Sequence, residues 1–337
     1  MPSPADPAGW LYPALRRMGL IGPHDAPRFT ALAGGVSSDI YRVDLAAGPV
    51  CVKRALPQLK VSAVWEAPVE RNRCEVAWMR TVAAIVPAFV PRVLGDDAES
   101  GSFAMVYLVP EAHPVWKAQL RDGIAEASTA AEVARRIVAV HRATAGDAEV
   151  ARCFATDAIF HSIRLEPYLL ATARRHPDLA AALERLAEVT AANKLALVHG
   201  DVSPKNIVVG PNGPILLDAE CAWYGDPAFD LAFCLNHMLL KCLWRPQWRD
   251  QYLACFDALA TNYLEGVDWE AAGAIEARVA QLLPGLFLGR VDGKSPAEYV
   301  TAERDKDRVR RVARALLLDP AQKLGAVRDA WRRELAA

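Results

Sequence analysis

One segment constrains this chain more than any other: residues 195–220, LALVHGDVSPKNIVVGPNGPILLDAE. It carries His199-Gly200-Asp201, an asparagine five positions after the aspartate at Asn206, and two apolar runs, 206–209 and 215–217, joined by Gly-Pro-Asn-Gly-Pro. A second aspartate, Asp218, stands where the returning run ends, 218 − 201 = 17 positions after the first. Asn-Gly between apolar runs is a hairpin signal, so the segment reads as a polar loop followed by a β-hairpin with an acid at each end. At ordinary residue frequencies H-G-D-x-x-x-x-N arises in a chain of this length on the order of once in a thousand by chance.

Around that segment the punctuation divides the chain in two. Residues 29–56 read as an antiparallel meander of three strands, with a Gly-Gly break, an alternation of Tyr41, Val43 and Leu45, and an Ala-Ala-Gly-Pro turn. A helix is predicted over 69–86, with Val76, Met79, Val82 and Ala83 on one face and Pro87 at its end; strands follow over 91–95 and 103–109. Beyond Pro110 helical spacing dominates, over 130–143 and 178–193. Strands return once, in the hairpin; after Pro227 the reading is helical nearly to the end, with loops near 285–296. At roughly 150 residues per domain, 337 residues make about two lobes. The expected division is 1–109, with 1–24 as an N-terminal extension, and 110–337, the join lying near 109–114.

Composition excludes several partners. Lys plus Arg at 39 against Asp plus Glu at 40 leaves a net charge of −1, too little field to hold nucleic acid or an anionic membrane surface. No run approaches the ~18 apolar residues of a membrane span. MPSPADPAGW lacks the basic and apolar regions of a secretory signal, so a cytoplasmic location is expected. The seven cysteines are odd in number with no C-x-x-C, and read as buried reduced thiols.

The residue types of the central segment suit phosphoryl transfer. One carboxylate takes or orients the proton of an attacking hydroxyl, while a hard Mg²⁺ wants amide and carboxylate oxygens; Asp201, Asn206 and Asp218 supply that set. The segment closely resembles the aminoglycoside phosphotransferase and choline kinase-like family, relatives of the protein kinases. The resemblance implies an α+β, bilobal protein kinase-like fold with a β-rich N-terminal lobe and a mainly helical C-terminal lobe. It also implies Asp201 as catalytic base, Asn206 and Asp218 as metal ligands, and His199 as a packing residue. Gly34, Gly35, Ser37 and Ser38 lie where the family has its phosphate-covering loop, and Lys53 looks like the lysine that meets the α- and β-phosphates, with Glu75 as its carboxylate partner and Glu70 as the competitor. Met105 would line the adenine pocket and the backbone of Val106, Tyr107 and Leu108 would bond the base. Asp230, in Gly225-Asp226-Pro227-x-x-Asp230, would brace the catalytic loop.

Departures mark the open questions. Serine/threonine protein kinases carry a lysine two positions after the base; here that residue is Ser203, and Lys205 appears two positions later, either reaching the transferring phosphoryl group or facing solvent. Ala219-Glu220 follows the metal aspartate, with Glu220 placed to assist a second metal. Trp223, Tyr224, His237, Trp244, Trp248 and the Arg290–Lys294 stretch are the acceptor candidates, and core packing is the competing reading for the aromatics. Charges after Glu220 are roughly balanced, without the acidic groove a polycationic aminoglycoside wants. The expectation is a Mg²⁺- and ATP-dependent kinase of a small hydroxylated metabolite, as monomer or homodimer. An aminoglycoside kinase is the alternative; a protein kinase and an inactive nucleotide-binding scaffold are the rivals.

Overall fold

The computed structural model describes residues 7–32, 38–56 and 71–337. A helix, α1 (Ala8–Arg17), precedes five strands: β1 (Phe29–Ala31), β2 (Ser38–Leu45), β3 (Gly48–Ala55), and, after the helix α2 (Arg71–Ile85), β4 (Val93–Asp97) and β5 (Ser102–Val106). They form one antiparallel sheet in the order β1-β2-β3-β5-β4. The period of two along a strand sorts its faces. Val50, Val52 and Ala104 turn toward Leu11 and Leu15 of α1. Cys51, Phe103 and Met105 join the main core with Val76, Trp78 and Met79 of α2. Lys53 shares the parity of Cys51, which aims it at α2. The helix α1 lies within the segment expected as an extension and closes the outer face of the sheet.

From Trp116 onward the chain is mostly helical, interrupted by two ribbons: β6 (Ala196–Val198) with β9 (Trp223–Gly225), and β7 (Ile207–Gly210) with β8 (Gly213–Leu216). The hairpin is present, but its turn centres on Pro211-Asn212 rather than Asn-Gly, because proline presets the first central position, and Gly213, at φ 96°, takes the left-handed conformation just after the turn. The β6–β9 ribbon was not anticipated; its three-residue strands are too short for a periodic signal. The loop expected near 285–296 is also corrected. One helix, Ala272–Asp292, runs through Pro284 and Gly285 and ends only before Gly293. It is buried on all sides over that stretch, and a Cβ on Gly285 would lie 2.9 Å from Leu186 and 3.0 Å from Leu169, so glycine here permits close helix packing.

Five of the seven cysteines are buried, Cys74 is half-buried and Cys153 exposed, all as free thiols. No helix among the described residues is long and apolar enough to cross a membrane.

Candidate active site

The loop between β6 and β7 carries Asp201, and its neighbours dictate its shape. Gly200 has φ 79°, and a Cβ there would lie 2.9 Å from both Cβ and O of Cys221, so the turn requires glycine. Asp230, in the helix Ala228–Trp244, accepts the N–H of His199 at 2.7 Å and that of Gly200 at 2.8 Å, the bracing expected of it. His141 Nε2 lies 3.2 Å from the same carboxylate and its Nδ1 2.7 Å from the Tyr263 hydroxyl, which fixes Asp230 in turn.

His199 does more than pack. Its Nδ1 accepts the Asp201 N–H at 3.1 Å and its Nε2 lies 3.2 Å from Leu217 O, which ties the loop to the residue before Asp218. These partners assign the tautomer protonated on Nε2, and burial, holding the imidazole below its usual pKa, keeps it neutral as that pattern needs.

Asp201 is buried, and its Oδ2 receives Arg164 Nη2 at 2.9 Å and Lys205 Nζ at 3.0 Å. Burial works against the carboxylate, but Lys205 and Arg164 outweigh it and hold Asp201 below the ordinary aspartate range. Lys205, half-exposed, is thus neither free in solvent nor remote from Asp201. Asn206 Nδ2 donates to Asp201 O at 3.1 Å, which leaves its amide oxygen to face elsewhere.

Asp218 follows β8 with φ 68°, a left-handed conformation that a non-glycine residue keeps only when its surroundings hold it. Its Oδ1 is 2.5 Å from Lys53 Nζ, which is also 2.7 Å from Glu75 Oε2. Burial opposes charge on Asp218, yet Lys53 and Lys205 keep it well below the carboxylate range. Burial likewise opposes the Lys53 ammonium, which Asp218 and Glu75 hold well above its usual value. Glu75 is therefore the partner of Lys53; Glu70 falls outside the described residues. Glu220 Oε2 accepts from Arg71 Nε at 2.9 Å, which ties this side chain to α2 through one of its two oxygens.

Met105 is buried in the core, and Val106 donates its N–H to Arg92 O at 3.0 Å, which commits that amide to the sheet and leaves Tyr107 and Leu108, half-buried, to follow. Gly34, Gly35 and Ser37 lie outside the described residues. Ser38 opens β2 with its hydroxyl buried and without a hydrogen-bond partner among the described residues. Among the described residues no group of three or more His, Cys, Asp or Glu could hold a metal; the oxygen donors here are one amide and one carboxylate. Of the acceptor candidates, Trp223 stacks on Phe160 at 4.1 Å as core, and Trp248 covers Gly123. Lys294 is paired with Glu166, and Asp292 with Arg310.

Sequence reasoning missed Arg164 and Arg71. Arg164 sits in a π-helical segment, His161–Leu170, donating also to Gly200 O and Ile163 O; π-helical turns gather at functional sites. Its one local signal is a charge flanked by Ile163 and Leu165.

Residues 28–269 match the model of a phosphotransferase enzyme family, APH. The chain is 26% identical over 233 residues to a methylthioribose kinase of Yersinia enterocolitica, a match covering 60% of this chain and 57% of that one. It spans little more than half the length of the curated relatives it matches. Its fold is similar to that of a choline/ethanolamine kinase family protein from Mesorhizobium loti (TM-score 0.51, 16% identity, 94% of this chain and 97% of that one). It is also similar to an amicoumacin kinase in complex with AMP-PNP, Ca²⁺ and Ami (TM-score 0.50, 13% identity, 92% and 94%).

Proposed function

The chain belongs to the APH phosphotransferase enzyme family, and from that premise we propose that it is a Mg²⁺-dependent kinase moving the γ-phosphoryl of ATP to a hydroxyl of a small-molecule acceptor. One observation carries the reading. Glu75, Lys53 and Asp218 form an unbroken line of ion pairs from α2 to the end of the hairpin, beside an Asp201 kept charged by two cations.

In this reading residues 1–109 form the nucleotide lobe and 110–337 carry the catalytic loop and the acceptor. Arg164 and Lys205 both hold Oδ2 of Asp201, which leaves Oδ1 to accept the proton of the acceptor hydroxyl. The acceptor's hydroxyl oxygen forms its bond to the γ-phosphorus as the bond from that phosphorus to the β,γ-bridging oxygen breaks and leaves with ADP, and the proton passes from Asp201 to water. Lys53 meets the α- and β-phosphates, Ser38 with Gly34, Gly35 and Ser37 covers them, and Met105 with the chain at Val106, Tyr107 and Leu108 borders the base. Asp218 and the amide oxygen of Asn206 fit a hard divalent cation, which when bound neutralises phosphate charge; Glu220, with Oε2 on Arg71, would join that set through Oε1. The names of the relatives support a small-molecule acceptor, and the neighbour with AMP-PNP and Ca²⁺ supports a nucleotide with a divalent metal.

A coupled ADP-release screen against hydroxylated metabolites, amino alcohols, sugars and aminoglycosides tests the activity. With the acceptor found, Asp201→Asn should bind nucleotide normally and lose about 10²–10⁴ in kcat, the usual contribution of a general base. A near-normal kcat at saturating acceptor would remove Asp201 from that role.

A further inference from the structure

The helix Ala228–Trp244 places His237 and Lys241 one turn apart, and the helix Ala272–Asp292 adds Arg290; they are 7%, 1% and 8% exposed. Lys241 has no hydrogen bond or ion pair among the described residues. Its Nζ lies 4.7 Å from the Trp244 ring centre and 4.9 Å from that of Tyr299, two rings stacked at 4.6 Å. Arg290 has no carboxylate partner among the described residues; its Nη1 donates to Ser295 O at 2.6 Å, Ser295 Oγ at 3.1 Å and the Tyr168 hydroxyl at 3.4 Å. Its Nε is buried and has no hydrogen-bond partner among the described residues, and neither has the Tyr299 hydroxyl. Glu298 is bound to Lys117 at the exposed rim. A buried cation without a counter-ion is among the costliest things a fold can keep, and cation–π contact recovers only part of that cost. Burial and Lys117 push Lys241 down to about 7, Glu298 opposing.

This group adjoins the base. Arg164, bound to Asp201, lies 5.7 Å from the Phe233 ring centre; Phe233 meets His237 at 5.4 Å, and Tyr168, the partner of Arg290, at 5.4 Å. Lys117 donates its N–H to Pro204 O in the catalytic loop at 2.8 Å.

We propose that the acceptor is an anion: a small hydroxylated molecule whose oxyanion group, carboxylate or phosphate, is seated by Lys241, Arg290 and the Tyr299 hydroxyl while its own hydroxyl reaches Asp201. The inference rests on the phosphotransfer reading of the site. A choline-like or polycationic acceptor would meet like charge here, and a neutral one would leave Lys241 and Arg290 uncompensated.

Skeleton-matched probes test it: glycerol, glycerate and glycerol 3-phosphate; glucose, gluconate and glucose 6-phosphate; choline and ethanolamine as cations. Binding is read by calorimetry and transfer by ADP release, on wild type, Lys241→Met and Arg290→Met. The expected result is oxyanion members binding at least tenfold tighter than their neutral counterparts, with that margin lost in both variants; whether carboxylates or phosphates lead identifies the group. Lys241→Met should leave the Tm of the unliganded protein unchanged or raised, because it removes an unpaired charge; a lysine with only a structural role would lower Tm and leave ligand preference alone. A preference for neutral or cationic probes, the absence of an oxyanion margin, or a margin that survives in both variants overturns the proposal. ADP release with choline or glucose alone would end this inference and keep the kinase reading. An oxyanion margin that the variants abolish, without ADP release for any probe, would keep the anion site and count against the kinase.

Discussion

Asp201 stays ionised in a buried place because two cations converge on one of its oxygens, and this makes Lys205 testable. Removing Lys205 takes away the largest influence that lowers the Asp201 pKa, so the carboxylate would protonate at higher pH. Lys205→Ala should therefore shift the acid limb of the kcat/KM profile upward. It should also lower kcat by roughly 10²–10³, the cost of losing a preorganised charge contact at a transition state, with ATP affinity nearly intact. Lys205→Arg should recover part of the rate. A lysine serving only solvation would give near wild-type kinetics and an unmoved limb. At this scale the sequence was legible wherever contacts are local: Asp201, Asn206 and Asp218 declare themselves by spacing and a hairpin. Arg164 did not, because its bond to Asp201 joins distant segments and an arginine among apolar residues has no pattern of its own. Lys241 was hidden for the same reason, while Arg290 stood out only as part of the polar Arg290–Lys294 stretch; the two sit on separate helices that only the fold brings together.

On α2, residues 71, 75 and 78 lie one turn apart along a single helix face, and each meets a different part of the site. Arg71 takes Glu220, Glu75 takes Lys53, and the Trp78 ring meets the edge of His199 at 4.8 Å. The helix itself was legible from Val76, Met79 and Val82, and Glu75 was expected to meet Lys53; Arg71 was not legible, since an arginine at the start of a helix reads equally well as a solvated charge. The Pro284-Gly285 pair misled in the opposite direction, because breakers lose their meaning in a helix buried on every side. The pairing on α2 separates two roles for Glu220. If Glu220 clasps α2, Glu220→Gln leaves the Mg²⁺ concentration for half-maximal activity unchanged and costs stability, about 3 kcal/mol at the lower end for a broken buried pair, because Arg71 keeps Leu56 O. A metal ligand would show the reverse, a raised Mg²⁺ requirement with little change in stability. Urea denaturation and an Mg²⁺ titration of the same preparation decide between them.

Across the whole molecule one apolar core runs from Cys51, Phe103 and Met105 of the sheet through Trp78 and Met79 to Leu324 and Trp331 near the C-terminus. Among the described residues two smaller clusters stand apart from it, one under α1 and one of Ile159, Ile163 and Cys221. Chains of this size commonly unfold in stages, but stages require cores that can melt separately, and here the sheet and the helices share theirs. Denaturation followed by fluorescence of the nine tryptophans and by far-UV circular dichroism should therefore give one coincident transition. Trp78, fully buried between Phe89 and His199, sits where the shared core crosses from α2 to the loop that carries Asp201. Trp78→Ala should shift that single transition by about 3–5 kcal/mol, as truncating a buried aromatic does. If the sheet were a separate folding unit, the same substitution would instead split the curve, melting the sheet early while the helical part kept its wild-type midpoint, and the continuity of the core would have no energetic meaning.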